Sequence, residues 1–327
     1  MSSQSTIKRQ LLIRADGDQQ TGLGHLYRCI SLAYMLQDDF VITFMMKYCP
    51  ENILKEITAD GFNARMITVD DDFYSYLTSE SVVVLDGYKF GLLHQQEIAM
   101  RKVAGIVCID DMYDRKFACD LIINHAPGVK QGYYNADLTT KFALGPDYAL
   151  LRPLFLEAAS KKESQTKSKE LFICFGGSDP RDKTSLAVET ALTATEFQRI
   201  NVVAGAAYPY FDKLKNRFSS SDRVVLYQSL NQNNMLRLME ESSVAIVPSS
   251  GILFEVLAAG CKAISGVYVD NQKKVYAGFK ELNAIVEAGD FSRSDMERAL
   301  LESEGFTPPN IIDGNSAERI RNLFKQI

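Results

Sequence analysis

One short polar run, Arg14-Ala15-Asp16-Gly17-Asp18-Gln19-Gln20-Thr21-Gly22-Leu23-Gly24-His25, concentrates groups that bind an anion and move a proton. It follows the apolar LLIR and precedes HLYRCISLAYMLQ, whose apolar residues recur at helical spacing. Glycines such as Gly22 and Gly24 let a backbone approach a ligand closely. The N–H groups of a helix start favour an anion such as a diphosphate. In the first turn of that helix the dipole disfavours the imidazolium of His25, and a neutral ring accepts a proton as a general base must. Asp16 or Asp18 pulls toward protonation and is placed to orient the ring. The run is not the dinucleotide fingerprint, because Tyr27 stands where its third glycine belongs. A tight turn in which His25 bonds local carbonyls accounts for the same residues.

Other strand ends carry comparable groups. Asp86-Gly87-Tyr88 closes the apolar SVVVL, so Tyr88 is a candidate partner for a sugar hydroxyl and Asp86 for holding Tyr88 or the glycine loop. A strand-end turn with an amphipathic tyrosine explains it equally well. Asp110-Asp111 after GIVCI reads as a turn cap more readily than as a magnesium site. His125 follows another strand, and His94 sits on a polar helical stretch. In the second half, Gly176, Gly177 and Ser178 form a glycine loop suited to a phosphate or nucleoside. Ser249, Ser250 and Gly251 open another helix, with hydroxyls and N–H groups for phosphate oxygens. Glu255 falls about one turn in, placed to accept both hydroxyls of a ribose or simply to favour the helix dipole. Asp270-Asn271-Gln272 follows the next strand and faces a sugar.

These residues need a scaffold of short buried strands joined by helices. Candidate strands are Gln10–Arg14, Val41–Met45, Arg65–Val69, Val82–Leu85, Gly105–Ile109 and Leu121–Asn124, then 170–175, Asn201–Ala204, Val224–Tyr227, Val244–Val247 and Ala263–Val267. The charged, serine-rich segment 160–170 has no apolar face and reads as a connection. The chain of 327 residues exceeds one core. The expected organisation is α/β, with a doubly wound domain over 1–158, a linker over 159–169 and a second such domain over 170–327. Ligands then bind at the carboxyl ends of the strands.

Net charge is −5 and the basic residues are scattered, which excludes nucleic acid or an anionic membrane as the main ligand. The start, MSSQSTIKRQ, lacks the apolar region of a signal peptide, and no stretch is long enough for stable membrane insertion. The six cysteines form no CxxC pair and sit mostly in apolar runs, so they are expected to be reduced in a cytoplasmic protein. No metal and no cofactor is expected, and no protein partner is assigned.

The blocks IRADGDQQTGLGHLYRCISLA, LDGY, DYALLRPLF, CFGGSDPRDKT, SSGILFEVLAAG and DNQKK, in this order, resemble the hydrolases of the pseudaminic-acid pathway. Those enzymes remove UDP from a UDP-2,4-diacetamido-2,4,6-trideoxyhexose. Spore-coat polysaccharide proteins and, more distantly, the lipid II N-acetylglucosaminyl transferase share the pattern. The resemblance implies a GT-B fold, two Rossmann-like domains facing across a cleft with UDP held mainly by the second, and metal-independent attack of water on the anomeric carbon. It implies catalytic roles for His25, Tyr88 and Asn271, and Glu255 on the uridine ribose. Arg14, Asp16, Gly22, Gly24, Gly176, Gly177, Ser178, Ser249, Ser250, Gly251 and Gln272 complete the candidate substrate and UDP contacts. Gly87 departs from the histidine common in relatives, and the tail from Asp290 matches nothing in the pattern. A glycosyltransferase of the same fold is the alternative, and a non-catalytic sugar-nucleotide binder a third. The first half shows no concentrated apolar or basic patch for a lipid acceptor, which favours hydrolysis.

Overall fold

The computed structural model describes residues 8–17, 22–161 and 167–327. The chain forms two compact units, Met1–Pro153 with Asn315–Ile327, and Leu154–Gly314.

The first unit runs β1 (Arg9–Ala15), α1 (Gly24–Leu36), β2 (Phe40–Met46), α2 (Glu51–Ala59), β3 (Asn63–Met66), α3 (Asp70–Tyr74), β4 (Val82–Asp86), α4 (Leu92–Ala99) and β5 (Gly105–Ile109). It continues through β6 (Lys116–Phe117), β7 (Leu121–Asn124), β8 (Asn135–Ala136) and β9 (Lys141–Leu144). Seven strands form a parallel sheet in the order β3-β2-β1-β4-β5-β7-β9. Every residue of β4 and β5 is buried, as expected of a parallel sheet covered on both faces. Strand order reverses between β1 and β4, where Ala15 and Asp86 are register partners. The polar loop before α1 and the Asp86-Gly87-Tyr88 turn therefore emerge side by side at the topological switch point.

Helix α5 (Pro153–Ser160) leads into the second unit, and residues 162–166 of the expected linker lie outside the described residues. There follow β10 (Ser168–Ile173), α6 (Lys183–Thr193), β11 (Arg199–Ala204), α7 (Phe211–Phe218), β12 (Val224–Gln228), α8 (Gln232–Glu241), β13 (Ser242–Pro248) and α9 (Gly251–Ala258). The unit closes with β14 (Lys262–Gly266), α10 (Lys273–Glu281), β15 (Val286–Glu287) and α11 (Arg293–Gly305). Its six parallel strands lie in the order β12-β11-β10-β13-β14-β15, with the switch point between β10 and β13. Both units are Rossmann-like.

Every candidate strand is present. The one read as Arg65–Val69 lies earlier, at Asn63–Met66, because Asp72 accepts the N–H groups of Thr68 and Val69 and turns them into α3. The expected extent of the second domain, 170–327, needs correction at its end. The last helix, α12 (Ser316–Phe324), packs on α1 of the first unit. Its apolar face puts Phe324 edge-on to Phe40 at 6.0 Å, with Ile320 and Phe324 fully buried. Ser316 donates to the Ala149 carbonyl at 2.8 Å and Arg321 to Asp39 at 2.8 Å. No helix among the described residues is long and apolar enough to cross a membrane.

Candidate active site

Helix α1 begins at Gly24, which places His25 in its first turn. Gly22, in the preceding loop, has φ +78°, a left-handed conformation that glycine adopts without strain. The His25 ring is buried, and its Nδ1 lies 2.7 Å from Oδ1 of Asp86. The neutral tautomer that satisfies this contact carries its proton on Nδ1 and leaves Nε2 as the acceptor.

Asp86, expected to hold Tyr88 or the glycine loop, is fully buried and takes its hydrogen bonds from α1 instead. It also accepts both arms of Arg28, Nε at 2.6 Å and Nη2 at 2.5 Å, together with Cys29 Sγ at 3.4 Å. Burial by itself would raise the Asp86 carboxyl. The Arg28 guanidinium and then His25 outweigh it and hold the carboxyl down at about 2. Arg28 is itself held protonated, because the Asp86 charge outweighs the desolvation that opposes it. Arg28 Nη1 reaches Asp111 at 3.1 Å, and the hydroxyl of Tyr88 donates to the same oxygen at 3.3 Å. Tyr88 stands edge-on to His25 with ring centroids 4.9 Å apart. Thus His25 and Tyr88 are brought together, joined by Arg28 and Asp111, which were not among the expected site residues. Arg28 lies three residues after His25 on one helix face, the one sequence signal that marks it.

Gly87 has φ +148°, and a Cβ there would lie 3.1 Å from the Phe90 ring. The departure from histidine at this position therefore goes with a turn that only glycine makes without strain. Asp110 caps its own turn, accepting from Met112 N at 3.0 Å and Tyr113 N at 2.7 Å. His125 accepts from Leu150 N at 3.0 Å through Nδ1, and burial followed by the nearby Arg28 charge lowers it to about 3. His94, on the polar stretch of α4, is partly covered and lies 3.7 Å from Asp70.

Arg14 and Asp16 are placed as braces. Arg14 is 1% exposed, and its Nη1 meets Asp16 at 2.9 Å. Asp16 also accepts from Lys47 N at 2.5 Å, Tyr48 N at 3.1 Å and Lys89 Nζ. It thus ties the loop to the end of β2 and does not touch the His25 ring. Asp18 lies outside the described residues.

In the second unit, the glycine loop leads into a helix start that carboxylates cap. Asp179 is buried and accepts from Lys183 N at 3.0 Å and Thr184 N at 2.7 Å. Asp182 caps the same helix from Ser185 N. The start of α6 is therefore filled by carboxylates, and a phosphate there would meet like charge. The start of α9 has no acid in its first turn and no side-chain cap from Ser250. Ser249 is buried against Ser265 at 2.9 Å, so its hydroxyl braces β13 to β14. A Cβ added at Gly176, Gly177 or Gly251 would meet nothing within 4 Å, and Ser178 is exposed. Burial raises the Cys174 thiol to about 12, and the Glu255 and Asp179 charges add to it. Tyr268 donates from its hydroxyl to the Phe175 carbonyl at 3.1 Å, joining the glycine loop to 268–272. In that segment Gln272 is buried and accepts from Tyr268 N at 3.0 Å, whereas Asn271 is exposed.

Two Rossmann-like α/β units, each with its polar loops at a switch point, are the GT-B fold. Among solved structures the chain is similar to MurG of Acinetobacter baumannii, with TM-score 0.67 and 11% identity over 98% of this chain and 100% of that one. It is likewise similar to Arabidopsis thaliana UGT89C1 complexed with UDP, with TM-score 0.66 and 11% identity over 98% of each chain. No family model matches the chain. Its homologues include the UDP-2,4-diacetamido-2,4,6-trideoxy-beta-L-altropyranose hydrolase of Campylobacter jejuni, 26% identical over 81% of this chain and 93% of that one. They include the spore coat polysaccharide biosynthesis protein SpsG of Bacillus subtilis, 24% identical over 85% and 83%. A third, an uncharacterized protein of Methanocaldococcus jannaschii, is 28% identical over 82% of this chain, which spans only 57% of that relative.

Proposed function

We propose that this chain hydrolyses a UDP-linked diacetamido-trideoxyhexose to UDP and the free amino sugar, for surface-polysaccharide or nonulosonic-acid synthesis in the cytosol. The observation that carries the reading is the 2.7 Å Asp86–His25 contact, which leaves Nε2 as the proton acceptor. Water held at Nε2 gives up a proton to it while the water oxygen bonds to the anomeric carbon. The bond from that carbon to the β-phosphate oxygen breaks, its electron pair leaves with UDP, and the imidazolium returns its proton to solvent. Tyr88, edge-on to the ring, contacts the sugar, a role the family resemblance also implies for Asn271. The uncapped start of α9 takes the diphosphate, with Glu255 on the ribose. The hydrolase and SpsG among the homologues support this substrate class.

A second reading on the same fold is transfer of the sugar to an acceptor, since one fold hosts different reactions. Incubation with UDP-diacetamido-trideoxyhexoses, without acceptor or added metal, decides between them. UDP release is expected, and His25→Asn should lower it by about 10² or more with UDP binding near normal. Release only when an acceptor is present would overturn hydrolysis.

A further inference from the structure

Oδ1 of Asp86 receives two donors, His25 Nδ1 at 2.7 Å and Arg28 Nη2 at 2.5 Å. Because both converge on one oxygen, Nη2 comes within 3.0 Å of Nδ1. Arginine has no acceptor, and an Nδ1–H pointed at Asp86 accepts nothing, so this short approach is between two donors and not a hydrogen bond. It sets a permanent cation against the imidazole edge. An aspartate alone beside a histidine favours the imidazolium, which cannot act as a base. Here the same aspartate is forked by a guanidinium, whose charge neutralises it and repels a second proton on the ring. The other groups facing this pair are Tyr88 from the turn after β4, Asp111 after β5, Cys29 on α1 and His125 after β7. Asp111 is itself paired to Arg28, and His125 is kept neutral, so Arg28 is the only cation among these groups.

We infer that Arg28 is a positioning residue which, by forking Asp86 against the His25 ring, offsets the pull of Asp86 toward the imidazolium and holds Nε2 available as the acceptor. Its consequence for turnover rests on the hydrolase reading; its effect on the ring does not. Arg28→Gln keeps a donor beside Asp86 and drops the charge, whereas Arg28→Lys keeps a charge and drops the fork. The titration of His25, followed by its imidazole NMR signals with His25→Asn to assign them, should move to higher pH by about one unit or more in Arg28→Gln. Arg28→Lys should move it by less than half as much. The acid limb of UDP release should shift alongside, with kcat lowered more than KM.

An unmoved His25 titration in folded Arg28→Gln overturns the proposal. A moved titration without any UDP release by the wild type leaves it standing and removes the hydrolase reading instead. If Arg28→Gln does not fold, Asp86→Asn is compared with the double variant Asp86→Asn/Arg28→Gln, which removes both charges of the Arg28–Asp86 pair together. His25 should take its proton at higher pH in the double variant, and equal titrations overturn the inference.

Discussion

Asp86 and Ala15 are register partners on adjacent central strands, and this pairing brings the Asp86 carboxylate to His25, 61 residues away in the chain. The histidine rides on the helix that follows β1, and the aspartate ends β4. Any change that slips this register separates them.

Replacement Asp86→Asn should therefore act on chemistry and stability together. The asparagine amide can donate to Nδ1 and fix the opposite tautomer, so turnover should fall on the order of 10³ with UDP affinity near normal. The Arg28 cation would also lose its partner, costing about 3 kcal/mol in urea unfolding. Lost stability with unchanged turnover would make Asp86 a salt-bridge acceptor only.

Acid should destabilise the protein in two stages. The His125 ring titrates near 3 in the fold against 6.5 unperturbed, so below about pH 6.5 the unfolded chain binds a proton that the folded chain refuses. Asp86 is depressed from 3.8 to about 2; its stabilisation is present above pH 3.8 and is lost as pH falls through about 2. Unfolding free energy measured from pH 7 to 3 should decline throughout, and His125→Asn should flatten the upper part of that decline. An unchanged slope in this variant would exclude His125 as its source.

The two helix starts of the second unit should respond differently. Glu255→Ala is expected to weaken UDP binding by about tenfold or more in calorimetry, as loss of charge-assisted hydrogen bonds does. Asp179→Ala, which removes one of the two carboxylates capping α6, should instead cost about 1–2 kcal/mol of stability. If UDP affinity falls with Asp179→Ala and not with Glu255→Ala, the assignment of the diphosphate to α9 is wrong.

Phe324→Ala should destabilise by about 3–5 kcal/mol, the usual cost of emptying a buried aromatic site. Hydrogen exchange should locate the loss in α1 and β2, which Phe324 covers through Phe40. Loss confined to 154–314 would contradict the packing of α12.

What the sequence makes legible is local. The run from LLIR through Gly24 to the helical HLYRCISLAYMLQ marks strand, loop and helix by periodicity and glycine placement, and it puts His25 in the first turn as observed. The partner of His25 was not legible, since only the β1–β4 register brings Asp86 near. Arg28 looked like one more polar residue on an amphipathic helix. In the loop at 176–179 the sequence marks the glycines, and the Asp179-to-Lys183 spacing already allowed the cap that its aspartate makes on its own helix. The amphipathic helix 316–324 carries an apolar face but nothing that names the surface it covers.

The return of α12 to α1 also bears on how the polypeptide is made. Synthesis delivers the first sheet early and the whole of 154–314 next, while Ile320 and Phe324, both fully buried against the first unit, come afterwards. The half that carries His25 must therefore stay incomplete on the ribosome until residues 315–327 have cleared the exit tunnel, whereas the second unit already has all its elements.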